Sequence, residues 1–372
     1  MRFCANIDLC YDEDWCLASA PLEARNYLIA CYTIYLIQGN TITGKCVKHA
    51  SLVGYIKAVV NLHKDRGLPS PLSVAKDLVS PLLAAVQRFE LVPNRREMIY
   101  DSMIASMLLT TNGMPEDSLQ SAILDWIILG RYAGFRQSEW CQTSQSVAMT
   151  APSIALPVQE PLAFLPSDFS FFDAAGCPIA TSTTNLDGIE VLWRFQKNAN
   201  NGERIPFKRD YDRPDLCPVL AAARIKRRAT RLGISASTPL AVYSNPRAAS
   251  GYSYITADAT ATFLRTTAQA VFALDATDDR LQRWSCHSIR VTAANLLHRA
   301  RRSDSYIQIR LRWKSSTFLM YLRNTFYAAD EHTDAMKISN RNLPVLTTAD
   351  GTPVPTLRDL EQHETFLASV AA

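Results

Sequence analysis

Three short stretches of the chain hold residues able to act on a charged group. They are Gly134-Phe-Arg136-Gln-Ser-Glu139, His287-Ser-Ile-Arg290, and Leu311-Arg-Trp313-Lys-Ser-Ser-Thr-Phe-Leu-Met-Tyr321-Leu-Arg-Asn324. Arg136 and Arg290 each offer a planar fork of N–H donors that matches two oxygens of a phosphate and keeps its charge at physiological pH. Tyr321 offers a phenol, whose phosphate ester stores the energy of the bond it replaces, so that a cut made through it can be reversed. His287 is suited to accept a proton or to hydrogen-bond a phosphate, and the indole of Trp313 is a fixed N–H donor. Glu139 follows Arg136 by three residues, on the same helical face, where a carboxylate can orient basic side chains. Each residue also has an ordinary structural reading. An H-x-x-R opens many solvated helices, and Tyr321 among Phe318, Leu319 and Leu322 has the neighbours of a core residue. A lysine beside a hairpin turn, such as Lys197, is common surface, and Lys208 is its rival for any catalytic role.

The order Arg136, Lys197, His287-x-x-Arg290, Trp313, Tyr321 resembles the tyrosine recombinase, or phage integrase, family. The tryptophan at 313, where histidine is commoner, and the Tyr-Leu-Arg-Asn ending are most similar to Cre and to eukaryotic crypton-type recombinases. The resemblance implies a DNA enzyme that cuts and rejoins strands through a 3′-phosphotyrosyl intermediate without metal, ATP or any other cofactor. It makes Tyr321 the nucleophile and Arg136 and Arg290 the phosphate clamp, with Lys197 as general acid and His287 and Trp313 on the phosphate. Its implied partner is double-stranded DNA, bound by a homo-tetramer on two sites that assembles from free monomers. The interval from Arg136 to Lys197 is long for this family and implies an insertion. A type IB topoisomerase shares the tyrosine chemistry and is one rival reading; a domesticated DNA-binding protein that no longer cuts is another.

Composition narrows the field from another direction. The 372 residues suggest two domains, and 48% hydrophobic with 20% charged residues excludes disordered, collagenous and coiled-coil chains. Only 13 glycines argue against glycine-rich nucleotide folds. The match Gly39-Asn-Thr-Ile-Thr-Gly44-Lys45 is accidental on two counts: Cys46 replaces the magnesium-binding hydroxyl, and the preceding segment reads as helix. Nine scattered cysteines without a C-x-x-C pair point to reduced, mostly buried thiols rather than disulfides or zinc. No apolar run approaches membrane-spanning length, and the acidic N-terminus is unlike a signal peptide, so the expected setting is intracellular, at DNA. That means the nucleus in a eukaryote or the nucleoid in a bacterium.

Charge is unevenly spread. Residues 203–314 hold 20 Lys and Arg against 9 Asp and Glu, whereas the last 43 residues hold 3 against 7. A basic middle and an acidic tail suggest an anionic partner that the tail avoids. Candidate phosphate contacts are Lys48, Lys57 and Lys64 on an amphipathic helix, and Arg224, Lys226, Arg227, Arg228 and Arg231 in a basic run that could equally be a nuclear address.

The elements that must carry these residues follow from periodicity. Helices are expected over residues 23–37 and 48–66, with Leu52, Tyr55, Ile56, Val59 and Val60 as the buried stripe of the latter. Two short helices should start at Ser70-Pro71 and Ser80-Pro81. Beyond a linker at 93–96, helices are expected at 98–110, 118–133, 218–232, 257–274, 286–301, 304–312 and 316–327, with a loop over 143–166. Ile189, Val191, Trp193 and Phe195 alternate with mostly polar residues, and 204–208 reads as the returning edge strand because of Pro206, which makes a hairpin with its tip near 197–202. The expected fold is mainly α with a small antiparallel sheet: a helical core-binding domain (1–92), an α+β catalytic domain (93–340), and a tail (341–372) that docks on a neighbouring protomer.

Overall fold

Helices form in this chain where apolar residues recur at three- and four-residue spacing between breaks, and a computed structural model puts most of them within two or three residues of the expected bounds. It describes residues 20–41, 44, 46–72, 77–89, 95–144, 160–196, 200–315, 318, 319, 322 and 333. The chain divides into two compact units, Met1–Asn94 and Arg95–Ala372.

The first unit contains α1 (Leu22–Ile37), α2 (His49–Asp65) and α3 (Val79–Phe89) around Ile29, Ala30, Ile56 and Val79. Tyr55, expected in the buried stripe of α2, is 48% exposed. The buried stripe runs through Leu52, Ile56 and His63, and residue 55 stands about 80° from its centre. Helix α3 is capped by Asp77, not by Ser80: its Oδ1 accepts the N–H groups of Val79 at 2.9 Å and Ser80 at 3.0 Å. Pro81 then falls in the first turn, where its missing N–H costs nothing. Of the helix expected after Ser70-Pro71, residues 73–76 lie outside the described residues, and Pro71, Leu72, Asp77 and Leu78 are not helical.

The second unit is mainly α with a small antiparallel sheet. Its elements are α4 (Asp101–Thr111), α5 (Leu119–Ala133), α6 (Gln137–Trp140), β1 (Phe169–Phe172), β2 (Pro178–Ile179), β3 (Gly188–Trp193), β4 (Glu203–Lys208), α7 (Pro218–Arg231), β5 (Val242–Ser244), β6 (Tyr252–Tyr254), α8 (Ala257–Phe272), α9 (His287–Arg299) and α10 (Asp304–Arg310). The expected hairpin is present: Ile189 pairs Phe207, Val191 pairs Ile205 and Trp193 pairs Glu203. Strand order β2-β1-β3-β4 leaves β4 on an edge, where Pro206 costs no ladder bond. Helix α4 begins three residues later than expected because tertiary partners take the preceding backbone. Glu97 N–H donates to the Arg283 carbonyl, Ile99 N–H to Thr292 Oγ1, and Met98 offers its carbonyl to Trp284 Nε1.

The core beneath the sheet is aromatic. Trp126 stacks on Trp140 with centroids 5.2 Å apart, and Phe164 meets Trp193 edge-on at 5.4 Å. Two glycines set the spacing of the elements that carry the candidate site. A Cβ on Gly130 of α5 would lie 2.4 Å from Ile289 Cγ2, so only glycine lets α5 and α9 approach this closely. Gly134 ends α5 in the left-handed region (φ 58°), and its N–H donates to the Gly130 carbonyl. That reversal turns the chain immediately before Arg136.

Candidate active site

Arg136 is the residue that caps the four-residue helix α6, and its partner is within that helix. Glu139 Oε1 accepts from Arg136 Nη1 at 2.9 Å, and Oε2 accepts the Arg136 backbone N–H at 2.9 Å. The second arm of the guanidinium, Nη2, donates to the Arg312 carbonyl at 3.2 Å. The Arg136 side chain keeps 18% of its surface exposed. Arg290, from the first turn of α9, reaches the same turn of chain from the other side. Its Nη2 donates to the Leu311 carbonyl at 2.9 Å and its Nη1 to Gly134, while its guanidinium carbon lies 4.1 Å over the Trp313 ring. Arg290 is only 2% exposed, so its fork is held by carbonyls and an aromatic face rather than turned outward as a solvent-facing clamp.

Glu139 is the centre of this arrangement and is buried. Burial alone would raise its pKa, but Arg312, the Arg136 backbone N–H, Arg136 and Arg290 together hold it below the ordinary carboxylate value. It therefore stays ionised, one carboxylate among three guanidinium groups. Glu139 also accepts from Trp193 Nε1 at 3.2 Å. His287, at the start of α9, has its pKa pushed down to about 4 by burial and then by the charges of Arg290 and Arg96. The imidazole is neutral at physiological pH, an acceptor or donor of a proton rather than a standing cation.

The chain after α10 closes the cluster. Trp313 N–H donates to the Gln308 carbonyl and Arg312 N–H to the Ile309 carbonyl, the two bonds of a Schellman cap with Arg312 in its left-handed position. Phe318 is fully buried, and it and Leu322 join the small core of Ala293, Ala294, Ile307 and Leu311, with Trp313 against it.

Five expected site residues thus come together: Arg136, Glu139, His287, Arg290 and Trp313. Tyr321 and Lys197 lie outside the described residues. The rival Lys208 is exposed at the end of the edge strand β4 and pairs with Asp187 Oδ2 at 2.8 Å. Two residues of the cluster escaped the sequence reading. Arg312 stands beside Trp313 in a quoted stretch, and Trp193 is on the buried face of a strand recognised by its alternation, but neither position signals a polar role.

The basic run on α7 requires a correction. Arg228 is fully buried, its Nε and Nη2 donating to the Glu116 carbonyl and its Nη2 also to Asp125. Arg224 Nε binds the other oxygen of Asp125 at 2.6 Å. Lys226 donates to the Phe169 carbonyl at 2.8 Å, and half-burial lowers its pKa. These three hold α7 to α5 and the sheet, and Arg228 is closed off from phosphates; Asp125, on the otherwise apolar buried face of α5, demands the two arginines. Arg227 and Arg231 are exposed and face Glu116 and Asp117 at 3.3–3.8 Å. Much of the positive surplus of residues 203–314 is thus internal. Lys48, Lys57 and Lys64 are exposed. Lys57 and Lys64, seven residues apart, share a face of α2, whereas Lys48 is the extended residue just before the helix.

All six described cysteines are free; Cys141, Cys217 and Cys286 are buried, Cys31 is half-buried, and Cys46 and Cys177 are exposed. Among the described residues no cluster of His, Cys, Asp and Glu could hold a metal ion, and no helix is long and apolar enough to cross a membrane.

No family model matches the chain, and no curated protein matches it. Among solved structures, the Tn1549 transposon integrase in complex with transposon right end DNA aligns at a TM-score of 0.45 with 11% identity, covering 90% of this chain and 91% of that one. The same integrase with circular intermediate DNA gives 0.43 and 14%, covering 85% and 87%. The XerH site-specific recombinase bound to difH substrate gives 0.36 and 11%, covering 85% and 80%.

Proposed function

We propose that the chain is a site-specific DNA recombinase that cuts and rejoins strands through Tyr321. The observation carrying this reading is the convergence of Arg136 and Arg290, 154 residues apart in sequence, on the successive carbonyls of Arg312 and Leu311. Burying guanidinium groups together opposes folding unless anions or acceptors compensate them, and here Glu139 and the carbonyls of Gly134, Leu311 and Arg312 do so. A scissile phosphate would bring further negative charge to this cluster, its oxygens competing for N–H groups now donated to carbonyls.

In the proposed reaction the Tyr321 oxygen attacks phosphorus and the bond to the 5′-oxygen breaks. The leaving 5′-oxygen takes a proton from Lys197, and the neutral His287 takes the tyrosine proton or hydrogen-bonds the phosphate. Arg136 and Arg290 hold the charge that builds on the non-bridging oxygens, and the Trp313 indole packs against Arg290. Attack of the free 5′-hydroxyl of another strand on the phosphotyrosine reverses the step, with no change in the number of phosphodiester bonds. Two DNA sites held by four protomers, with the acidic tail contacting a neighbour, complete the reading.

The test uses nicked duplexes from a pool enriched by binding to the protein. A covalent protein–DNA band on a denaturing gel is expected from the native chain. Tyr321→Phe should keep DNA affinity and lose that band. An adduct that survives in Tyr321→Phe, or that maps to Tyr306, overturns the assignment. Retained binding without any adduct selects the non-cutting protein. Relaxation of a supercoiled plasmid without exchange between two sites selects the topoisomerase.

A further inference from the structure

Arg312 holds a position that glycine normally occupies and buries a charge there. Its φ is 57°, in the left-handed region, which costs a side-chain-bearing residue of this kind about 1 kcal/mol or more. Its side chain is fully buried. Two costs at one residue call for a compensating role, and the contacts state it. The guanidinium carbon lies 3.8 Å from the centre of the Trp193 ring, with Nη1 donating to the Ala133 carbonyl at 3.0 Å and Nη2 to Glu139 Oε2 at 3.3 Å. The carbonyl of the same residue accepts Arg136 Nη2. Arg312 thus touches both ends of the Arg136–Glu139 pair, and Trp193, which donates to Glu139, closes the ring.

We infer that Arg312 is a positioning residue for the phosphate clamp: its guanidinium braces Glu139 and the end of β3, and its carbonyl fixes the second arm of Arg136. This rests on the recombinase reading proposed above and extends it to a residue that does not touch the DNA. A lysine could supply the charge but neither the flat face against Trp193 nor the two-directional fork. Glycine would relieve the backbone and remove the brace. The groups facing Glu139 are Arg136, Arg290 and Arg312, with Glu203 acting on Arg312 from the hairpin. Arg312 is the strongest of the cations that keep Glu139 ionised, so its loss should raise the Glu139 pKa. Glu139 would then protonate and release Arg136 at a pH where the native chain still holds it.

Single-turnover cleavage of the nicked duplex, measured against pH, tests this. Arg312→Gly should melt about 4–8 °C below the native chain, since relief of the left-handed backbone offsets about a third of the stability lost with the buried pair, and should cut about a hundredfold more slowly at neutral pH. The acid limb of its pH profile should move up by one unit or more, and millimolar methylguanidinium should restore part of the rate. Arg312→Lys should cut about tenfold more slowly with its acid limb unmoved. A native rate and acid limb in Arg312→Gly, or a native rate in Arg312→Lys, overturns the brace. A purely structural role would alter melting and leave the acid limb where it was. If the native chain forms no adduct, the recombinase reading fails by itself. The brace is then decided by ¹³C titration of the glutamate carboxyls, with Glu139 assigned from Glu139→Gln. An upward shift in Arg312→Gly supports it, and an unmoved Glu139 overturns it.

Discussion

Arg228 separates a structural from a DNA-binding account of α7 most cleanly, and Arg228→Met is the perturbation to make. Methionine keeps an unbranched stem of similar length in the fully buried slot and removes the charge. The Glu116 carbonyl loses two donors, and one oxygen of Asp125 loses its partner while the other keeps Arg224. Removing one member of a buried ion pair costs about 3–5 kcal/mol. Because Asp125 retains Arg224, the low end applies, about 3 kcal/mol. At about 2–4 °C per kcal/mol for a domain of this size, the midpoint should fall by roughly 6–12 °C. Arg231→Gln, at a half-exposed pair with Glu116 and Asp117, should change stability by less than about 0.5 kcal/mol. Calorimetry gives these numbers, and anisotropy titrations with duplex DNA from 50 to 200 mM salt give the second half of the test. A lost phosphate contact would lower the log–log salt slope by about 0.9, whereas a structural arginine leaves it unchanged. An Arg228→Met protein with a native melting temperature and a slope reduced by about one unit would refute the buried-pair account.

Three further outcomes follow from the same geometry. Arg136→Lys can satisfy Glu139 or the Arg312 carbonyl but not both, so cleavage should fall at least about a hundredfold with native DNA affinity; an unchanged rate would exclude Arg136 from the clamp. His287 has a folded pKa of about 4 against an ordinary 6.5, so the unfolded chain takes up the proton first as pH falls. Its contribution is complete above about pH 6.5, about 2 kcal/mol of it is lost by pH 5, and the loss levels off below about pH 4. Denaturation of His287→Asn against the native chain at pH 7.5 and 5 should show this difference shrink, and a constant difference would count against it. Gly130→Ala puts a methyl group into Ile289, so α5 and α9 must separate; the expected cost is about 1–3 kcal/mol, and a native melting temperature would mean the helices can slide apart freely.

Local chemistry written along the chain determined the elements. Apolar spacing located α2, α5 and α7–α10, Pro206 marked an edge strand, and alternation at Ile189, Val191 and Trp193 gave β3 its buried face, because each signal acts over a few residues. Strands β1, β2, β5 and β6 went unseen, since two to four residues are too few to display a period. The residue types of the candidate site were also legible, as Arg136, Glu139, His287, Arg290 and Trp313 could be named before their convergence was known. What only the tertiary structure decided is which cations are free. A count of charges cannot tell Arg228 from Arg231, because the difference is Asp125, about a hundred residues away on the buried face of α5. Nor can it foresee that Leu311 and Arg312 present successive carbonyls to two arginines, or that Arg312 takes a left-handed turn to lie between Trp193 and Glu139. Partners of a buried charge come from distant segments, and only the folded chain brings them within hydrogen-bond reach.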